Sequence, residues 1–328
     1  MNCLVTGGAG FIGSHVVDRL LSDGHHVIVL DNLCTGNWDN LAQHYGLPRF
    51  CFIEADITNG KDIQPYFRNI DWVFHLAALA DTIPSIKRPM DYHRANVDGT
   101  VNVLEASRLS NVKRFIYVSS SSCYGITDVI PIPETADIKP EYPYALTKYV
   151  GEQYVLHWGK VYGLGVLSLR LFNVYGLRSC TSGAYGAVFG VFLAQKINNK
   201  PFTVVGDGTQ TRDFVFVTDV ANALVMAARS GVVNEVFNVG SGSPYSVNYL
   251  VKLLGGEVVH IPKRPGETDC TSADITKINK LLGWKPSVSF DEGVNTLLEH
   301  IYWWKEAPVW IPETIQDATK EWFEHLSK

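Results

Sequence analysis

Apolar residues fall along this chain in two alternating patterns. Short continuous runs rich in β-branched and aromatic residues, at 3–7, 27–31, 50–56, 72–77, 115–120 and 166–172, predict strands buried on both faces. Between them lie stretches with apolar positions at helical spacing, among them 12–23, 96–109 and 145–161. Strands covered on both faces and separated by helices imply parallel pairing through crossovers, so the fold class predicted is α/β, a doubly wound parallel sheet of the Rossmann type. After residue 173 the loops lengthen and fill with Gly, Pro and Thr, notably at 177–187, 205–213, 240–246 and 262–272, and the strand pattern thins. Residues 1–172 are therefore expected to form a nucleotide-binding domain. Two later strand-like runs, 213–217 and 236–240, are expected to return to its sheet, leaving 173–212 and 241–328 as a smaller α/β domain over the carboxyl ends of the strands.

Composition narrows the class. The chain has 328 residues, is 46% hydrophobic and 19% charged, and carries a net charge of −5, which suits a globular protein with a sizeable core. Its basic residues are scattered, giving no footprint for nucleic acid or an anionic membrane as partner. Cys3, Cys34, Cys51, Cys123, Cys180 and Cys270 are far apart, with no CxxC pair and no Cys/His cluster at metal-ligand spacing, so no metal site is expected and reduced thiols in the cytoplasm are the natural reading. No signal-like leader and no long uncharged apolar run argues for a membrane.

Two constellations carry chemistry. In "VTGGAGFIGSH", Gly7, Gly10 and Gly13 are three residues apart, directly after a strand and opening a helix, the pattern that brings a backbone close to a pyrophosphate at a helix N-terminus. Asp31, at the end of the next strand, supplies the carboxylate that accepts from an adenosine ribose and repels a 2′-phosphate, which favours NAD over NADP. In "PYALTKYVGEQ", Tyr144 and Lys148 are four residues apart and so share one face of a helix, where an ammonium is expected to lower the phenol pKa and make Tyr144 an acid/base.

These motifs, with DNL (31–33), ADI (55–57), HLAA (75–78), NVDGT (96–100), "YVSSSSCYG" (117–125), RLFNVYG (170–176), GDGTQTRDF (206–214) and RPGE (264–267), resemble an extended short-chain dehydrogenase/reductase of the nucleotide-sugar epimerase and dehydratase group along nearly the whole chain. The resemblance implies that Tyr144 is the acid/base, that Lys148 tunes it and holds the nicotinamide ribose, and that Ser120 bridges Tyr144 to the reacting sugar oxygen. It implies an NAD site built from Gly7, Gly10, Phe11, Ile12, Gly13, Asp31, Asn32, Thr35, Gly36, Asp56, Ile57, Leu76, Ala77, Ala78, Asn96, Tyr144, Lys148 and Phe172. Ser121, Ser122, Asn173, Val188, Thr203, Arg212, Arg264, Glu267 and Thr271 are implied as contacts to the nucleotide sugar, with a homodimer joined through the helices at 96–109 and 145–161.

The departures point to a reaction. Dehydratases of this group usually carry Thr-Asp-Glu where this chain has Ser120-Ser121-Ser122, and hydroxyls cannot supply the extra acid and base that elimination needs. Leu79-Ala80-Asp81 replaces a Glu-Ser-His found in many dehydratases, while the runs at 77–85 and 182–188 look most like UDP-N-acetylhexosamine 4-epimerases. The expectation is an NAD-dependent 4-epimerase of UDP-hexoses or UDP-N-acetylhexosamines, with a 4,6-dehydratase or 4-keto-sugar reductase as the alternative. In the galactose epimerase branch, the residue seven positions after the Arg of RxGD/E gates the sugar pocket. Here it is Thr271, small enough to admit a 2-acetamido group, which leaves UDP-glucose, UDP-N-acetylglucosamine and UDP-glucuronate open. Tyr142 stands where many relatives have Ser, and is expected to reshape one wall of the entrance. His75 and the tryptophan-rich run 301–310 read as packing residues.

Overall fold

The computed structural model describes residues 1–179 and 186–327. Six strands, β1 (Asn2–Thr6), β2 (His26–Asp31), β3 (Phe50–Glu54), β4 (Trp72–His75), β5 (Arg114–Ser120) and β6 (Val166–Leu171), come from the predicted apolar runs. Between them lie α1 (Phe11–Ser22), a single turn α2 (Gly60–Ile63), α3 (Thr82–Lys87), α4 (Pro89–His93), α5 (Gly99–Leu109) and α6 (Pro143–Tyr162). The predicted helix at 96–109 begins with a π-turn over Arg94–Asp98 before α5 takes regular form.

The second half contributes β7 (Asn173–Tyr175), α7 (Val188–Ile197), β8 (Phe202–Val205), β9 (Thr211–Arg212), β10 (Phe214–Phe216), α8 (Val217–Arg229) and β11 (Glu235–Val239). These are followed by β12 (Tyr245–Ser246), α9 (Val247–Leu254), β13 (Val258–Ile261), α10 (Thr276–Leu282), α11 (Phe290–Glu299) and α12 (Pro312–Leu326).

The main sheet has seven strands in the order β11-β6-β5-β4-β1-β2-β3, every neighbouring pair parallel. Its order reverses between β1 and β4, and that switch point is where open α/β sheets leave a crevice at the carboxyl ends of their strands. Both faces are covered: α1 and α8 enclose one apolar cluster with Val5, Val29 and Phe74, and α5 and α6 enclose the other with Leu4, Val73 and Phe115.

Of the two later runs expected in the sheet, only one joins it. β11 extends the edge beside β6, whereas β10 pairs in parallel with β7 outside the main sheet. Three apolar residues suffice for a strand, and the chain turns into α8 at Val217 before β10 could reach further. The remaining small sheets, β9 with β12 and β8 with β13, stand over the crevice with α7, α9, α11 and α12 around a separate core. Trp304 is buried in that core while Trp303 stays half exposed.

Candidate functional site

The first turn after β1 is shaped by backbone crowding. Gly7 adopts φ +70°, and a Cβ there would lie 2.6 Å from the Ala77 nitrogen, while a Cβ on Gly13 would lie 2.1 Å from the Gly7 carbonyl oxygen. No side chain fits at either position, so the loop lies flat against the residues that follow β4. Gly10 caps α1 without a side chain, leaving the N–H groups of Phe11, Ile12 and Gly13 at an open helix N-terminus suited to an anion.

Asp31, 7% exposed, ends β2 and accepts from the backbone N–H of Ala9 at 2.9 Å and Leu33 at 2.8 Å. Burial raises its carboxyl pKa and those two donors oppose the rise. Gly36 lies against it, where a Cβ would come 2.9 Å from Oδ1. Asn32 donates to Asp56 at 3.0 Å, Thr35 sits in the same loop, and Ile57 is buried against α5 at Gly99. Leu76 and Ala77 continue β4, their N–H groups donating to the Thr6 carbonyl and hydroxyl, with Ala78 next in line. Asn96 lies in the π-turn, a feature frequent at functional sites, and its amide joins both backbone groups of Leu79 to the Thr147 hydroxyl of α6. Phe172, buried, follows β6. These residues converge on the switch-point crevice and fit a dinucleotide: a glycine cradle closed to any Cβ, an open helix N-terminus, and a carboxylate at the neighbouring strand end.

Tyr144 and Lys148 stand one turn apart on α6, which Pro143 starts. Lys148, 3% exposed, holds its ammonium 4.4 Å from the centre of the Tyr117 ring, and the Tyr117 hydroxyl donates to the Lys148 carbonyl at 3.1 Å. Burial pushes the Lys148 pKa down to about 7, against the attraction of Glu152 one turn further on. Glu152 is itself held by Arg170 at 2.6 Å and by the Ser168 hydroxyl at 2.9 Å.

The phenol of Tyr144 departs from expectation: burial raises its pKa, with the Ser120 hydroxyl pulling it down by hydrogen bonding and the Asp81 carboxylate pushing it up. Proximity of an ammonium alone would lower it, but desolvation wins here, as it does at Lys148 one turn away.

The four serines separate. Ser119 is buried and its hydroxyl has no hydrogen-bond partner among the described residues. Ser120 caps a short 3₁₀ turn over Ser121–Tyr124, accepting from the Ser122 N–H at 3.2 Å, with its hydroxyl 2.7 Å from that of Ser122. Ser121 is half-buried on the same turn. His75 is spanned by the hydroxyls of Thr6 at 2.7 Å and Thr100 at 2.9 Å, and burial holds its pKa down to about 3, so it is a neutral packing residue.

Across the crevice, Asn173 opens β7 and its Oδ1 accepts from the Thr271 hydroxyl at 3.2 Å. Arg212, on β9, donates to the Thr211 carbonyl at 2.9 Å; burial lowers its pKa, with Glu267 opposing and Arg264 adding to the effect. Arg264 and Glu267 form an ion pair at 3.0 Å. Val188 is the first residue of α7.

Thr203 is buried on β8: its hydroxyl accepts from Gln195 of α7 at 2.8 Å and its N–H donates to the same amide, so its side chain serves the α7–β8 contact. Within the run 182–188, residues 182–185 lie outside the described residues, as does Cys180. Asp81 and Trp322 carried no sequence signal as positive site residues, yet Asp81 acts on Tyr144 and Trp322 lies against Tyr142.

A family model described as the NAD dependent epimerase/dehydratase family matches residues 3–240. The chain is 39% identical over 304 residues to a protein of Methanocaldococcus jannaschii described as a putative UDP-glucose 4-epimerase, covering 90% of this chain and 96% of that one. Its fold superposes with a TM-score of 0.86 and 39% identity on the UDP-glucose 4-epimerase of Thermotoga maritima solved with UDP-glucose, covering 92% of this chain and 98% of that one. The UDP-glucuronic acid 4-epimerase of Bacillus cereus, solved with UDP-glucuronic acid and NAD, is 32% identical with a TM-score of 0.86, covering 92% and 99%. With the glycine cradle, the strand-end carboxylate and the Tyr144/Lys148 pair in the same crevice, these matches establish that the chain belongs to the NAD-dependent epimerase/dehydratase family.

Proposed function

We propose that this protein is an NAD-dependent nucleotide-sugar 4-epimerase acting on a UDP-linked hexose or N-acetylhexosamine. The observation that carries the reading is the convergence of Tyr144, Lys148 and Ser120 beside Ser121 and Ser122, hydroxyls at the positions where elimination would need carboxylates. Relatives at 39% identity described as UDP-glucose 4-epimerases support it.

Gly7, Gly10 and Gly13 would hold the pyrophosphate, Asp31 the adenosine ribose and Lys148 the nicotinamide ribose; when bound, the dinucleotide supplies hydride acceptance and return. The chain's own residues handle the proton. In its phenolate form Tyr144 would take it from the sugar 4-hydroxyl and give it back; the Ser120 hydroxyl, whose hydrogen bond opposes the rise that burial causes, favours that form, and Asn173, Arg212, Arg264 and Glu267 would hold the diphosphate and ribose while the sugar turns over. Stripping the phenolate of water in this buried site strengthens each of those contacts.

The outer faces of α5 and α6 expose Leu109, Leu146, Tyr154, Val161 and Tyr162, an apolar surface that supports a homodimer formed through these two helices. The unpaired Cys3, Cys34, Cys51, Cys123 and Cys270 suit a reducing compartment and support a cytoplasmic setting. Among the described residues, no helix is long and apolar enough to cross a membrane.

Purified protein incubated with UDP-glucose, UDP-N-acetylglucosamine and UDP-glucuronate is expected to produce a C4 epimer detectable by NMR. Tyr144→Phe should reduce turnover by at least about 10³-fold while dinucleotide remains bound, because only the phenol proton is lost. Absence of any C4 epimer with the wild type, or near-normal turnover in the variant, would overturn the reading.

A further inference from the structure

We propose that Trp322, on the C-terminal helix α12, is a positioning residue for the nucleotide-sugar grip: it joins the loop carrying Arg264 and Glu267 to the Tyr142 wall beside the catalytic serines. The inference rests on the reading of Arg264 and Glu267 as the pair that holds the nucleotide's diphosphate and ribose.

One indole meets two segments that are far apart in sequence. Its only donor, Nε1–H, donates to the Pro265 carbonyl at 2.7 Å, in the middle of the Arg264–Glu267 turn. Its ring stands 6.0 Å from the guanidinium carbon of Arg264 and 5.7 Å from the Tyr142 ring, tilted by 45°. Further along the same helix, Leu326 lies over Gly266, whose φ of +73° makes the turn. Tyr142 in turn lies beside the hydroxyls of Ser122 and Thr82. Trp322 is 3% exposed and touches none of the reacting groups, so its influence on the substrate runs through Arg264 and Tyr142.

This arrangement fixes both ends of the indole. The hydrogen bond orients the ring, the ring sets the position of Tyr142, and the Arg264–Glu267 turn cannot swing outward without breaking the Pro265 contact. A grip made of a long arginine and a glutamate on a loop loses rotamer freedom when it binds, and a support that removes that freedom beforehand improves affinity. Simple packing would behave differently: it would lower stability and leave the affinity of a correctly folded molecule unchanged.

The test uses UDP as probe on protein purified with its dinucleotide, by isothermal titration calorimetry. The expected result is a Kd for UDP raised roughly tenfold in Trp322→Ala and about threefold in Trp322→Phe, which keeps a ring against Tyr142 and lacks the donor. Dinucleotide content should stay at the wild-type level, and KM for UDP-glucose should rise with UDP Kd while kcat moves less. Ile315→Val, on the same helix and in the same core, should lower the melting temperature with UDP Kd unchanged. Should Trp322→Ala fail to fold, Trp322→Phe decides alone. Wild-type UDP affinity in a folded Trp322→Phe, or equal weakening in Ile315→Val, would overturn the inference with the functional reading intact. No UDP binding by the wild type would instead bring down the reading of the Arg264–Glu267 loop and this inference with it.

Discussion

The two sides of the crevice are built on different principles. On the dinucleotide side the backbone dictates the site: Gly7 and Gly13 are closed to any Cβ by neighbouring main-chain atoms, and Asp31 is fixed by two backbone N–H groups. On the sugar-nucleotide side the polar side chains pair with one another, Arg264 with Glu267, Thr271 with Asn173, and Arg212 with the adjoining carbonyl. The first side is complete before a ligand arrives. On the function proposed, the second would exchange internal partners for ligand partners, and because that exchange nearly balances, affinity there would depend on how well each group is held in place. Rigid cofactor binding beside an adjustable sugar grip suits a reaction in which the cofactor stays and the sugar must turn over.

The largest expected effect follows from the rigid side. Gly13→Ala would place a methyl 2.1 Å from the Gly7 carbonyl and 2.8 Å from the Gly8 Cα, both backbone atoms that cannot swing aside. A loss of about 3 kcal/mol or more in denaturant unfolding is expected, together with loss of co-purifying dinucleotide by mass spectrometry. A variant of normal stability carrying a full complement of dinucleotide would show that the cradle is adjustable and erase the contrast.

A smaller effect comes from Lys148, where the two sides meet. Its folded pKa is lowered to about 7 from 10.5, so between those values the unfolded chain binds a proton that the folded chain does not. Stability of protein stripped of dinucleotide should therefore rise as pH increases from 7 towards 10.5, with the cost fully present below 7. Lys148→Met should remove that dependence, stabilising the stripped protein by on the order of 2 kcal/mol at pH 6 and by almost nothing at pH 10. Parallel stability curves for the two proteins across that range would show that Lys148 is not strained by burial.

The same contrast explains what could be read in the sequence. Gly7, Gly10, Gly13 and Asp31 were legible because backbone geometry restricts those positions to one or two residue types. The strands β1 to β6 were legible because burial on both faces leaves continuous apolar runs. The partner of β10 was not, since "FVF" reports burial and says nothing about which sheet accepts it. Spacing brought Tyr144 and Lys148 to one helix face but could not report how much water either group loses, so the direction of the phenol shift came out reversed. The bond from Gln195 to the Thr203 hydroxyl spans a turn that local pattern does not resolve. The contact between Tyr142 and Trp322 joins residues 180 positions apart in sequence, with no periodicity or motif to link them.

The finest test of the contrast is at Thr271, where bulk and hydrogen bonding can be separated. Its hydroxyl accepts from the Asp213 N–H at 3.0 Å and donates to Asn173 Oδ1 at 3.2 Å, bridging the segment before β10 to the first residue of β7. Thr271→Val keeps the volume and removes the bridge, so kcat/KM should fall by a few-fold for UDP-glucose and UDP-N-acetylglucosamine alike, with their ratio preserved. Thr271→Tyr removes the bridge and adds a ring, so the ratio of kcat/KM for UDP-N-acetylglucosamine to that for UDP-glucose should fall by roughly tenfold, about 1.4 kcal/mol of discrimination. If both substitutions leave the ratio unchanged, Thr271 is a structural bridge and sugar choice lies elsewhere in the crevice. If Thr271→Val shifts the ratio as far as Thr271→Tyr does, the bridge itself reads the sugar through Asn173, and the sugar side is as finely preset as the dinucleotide side.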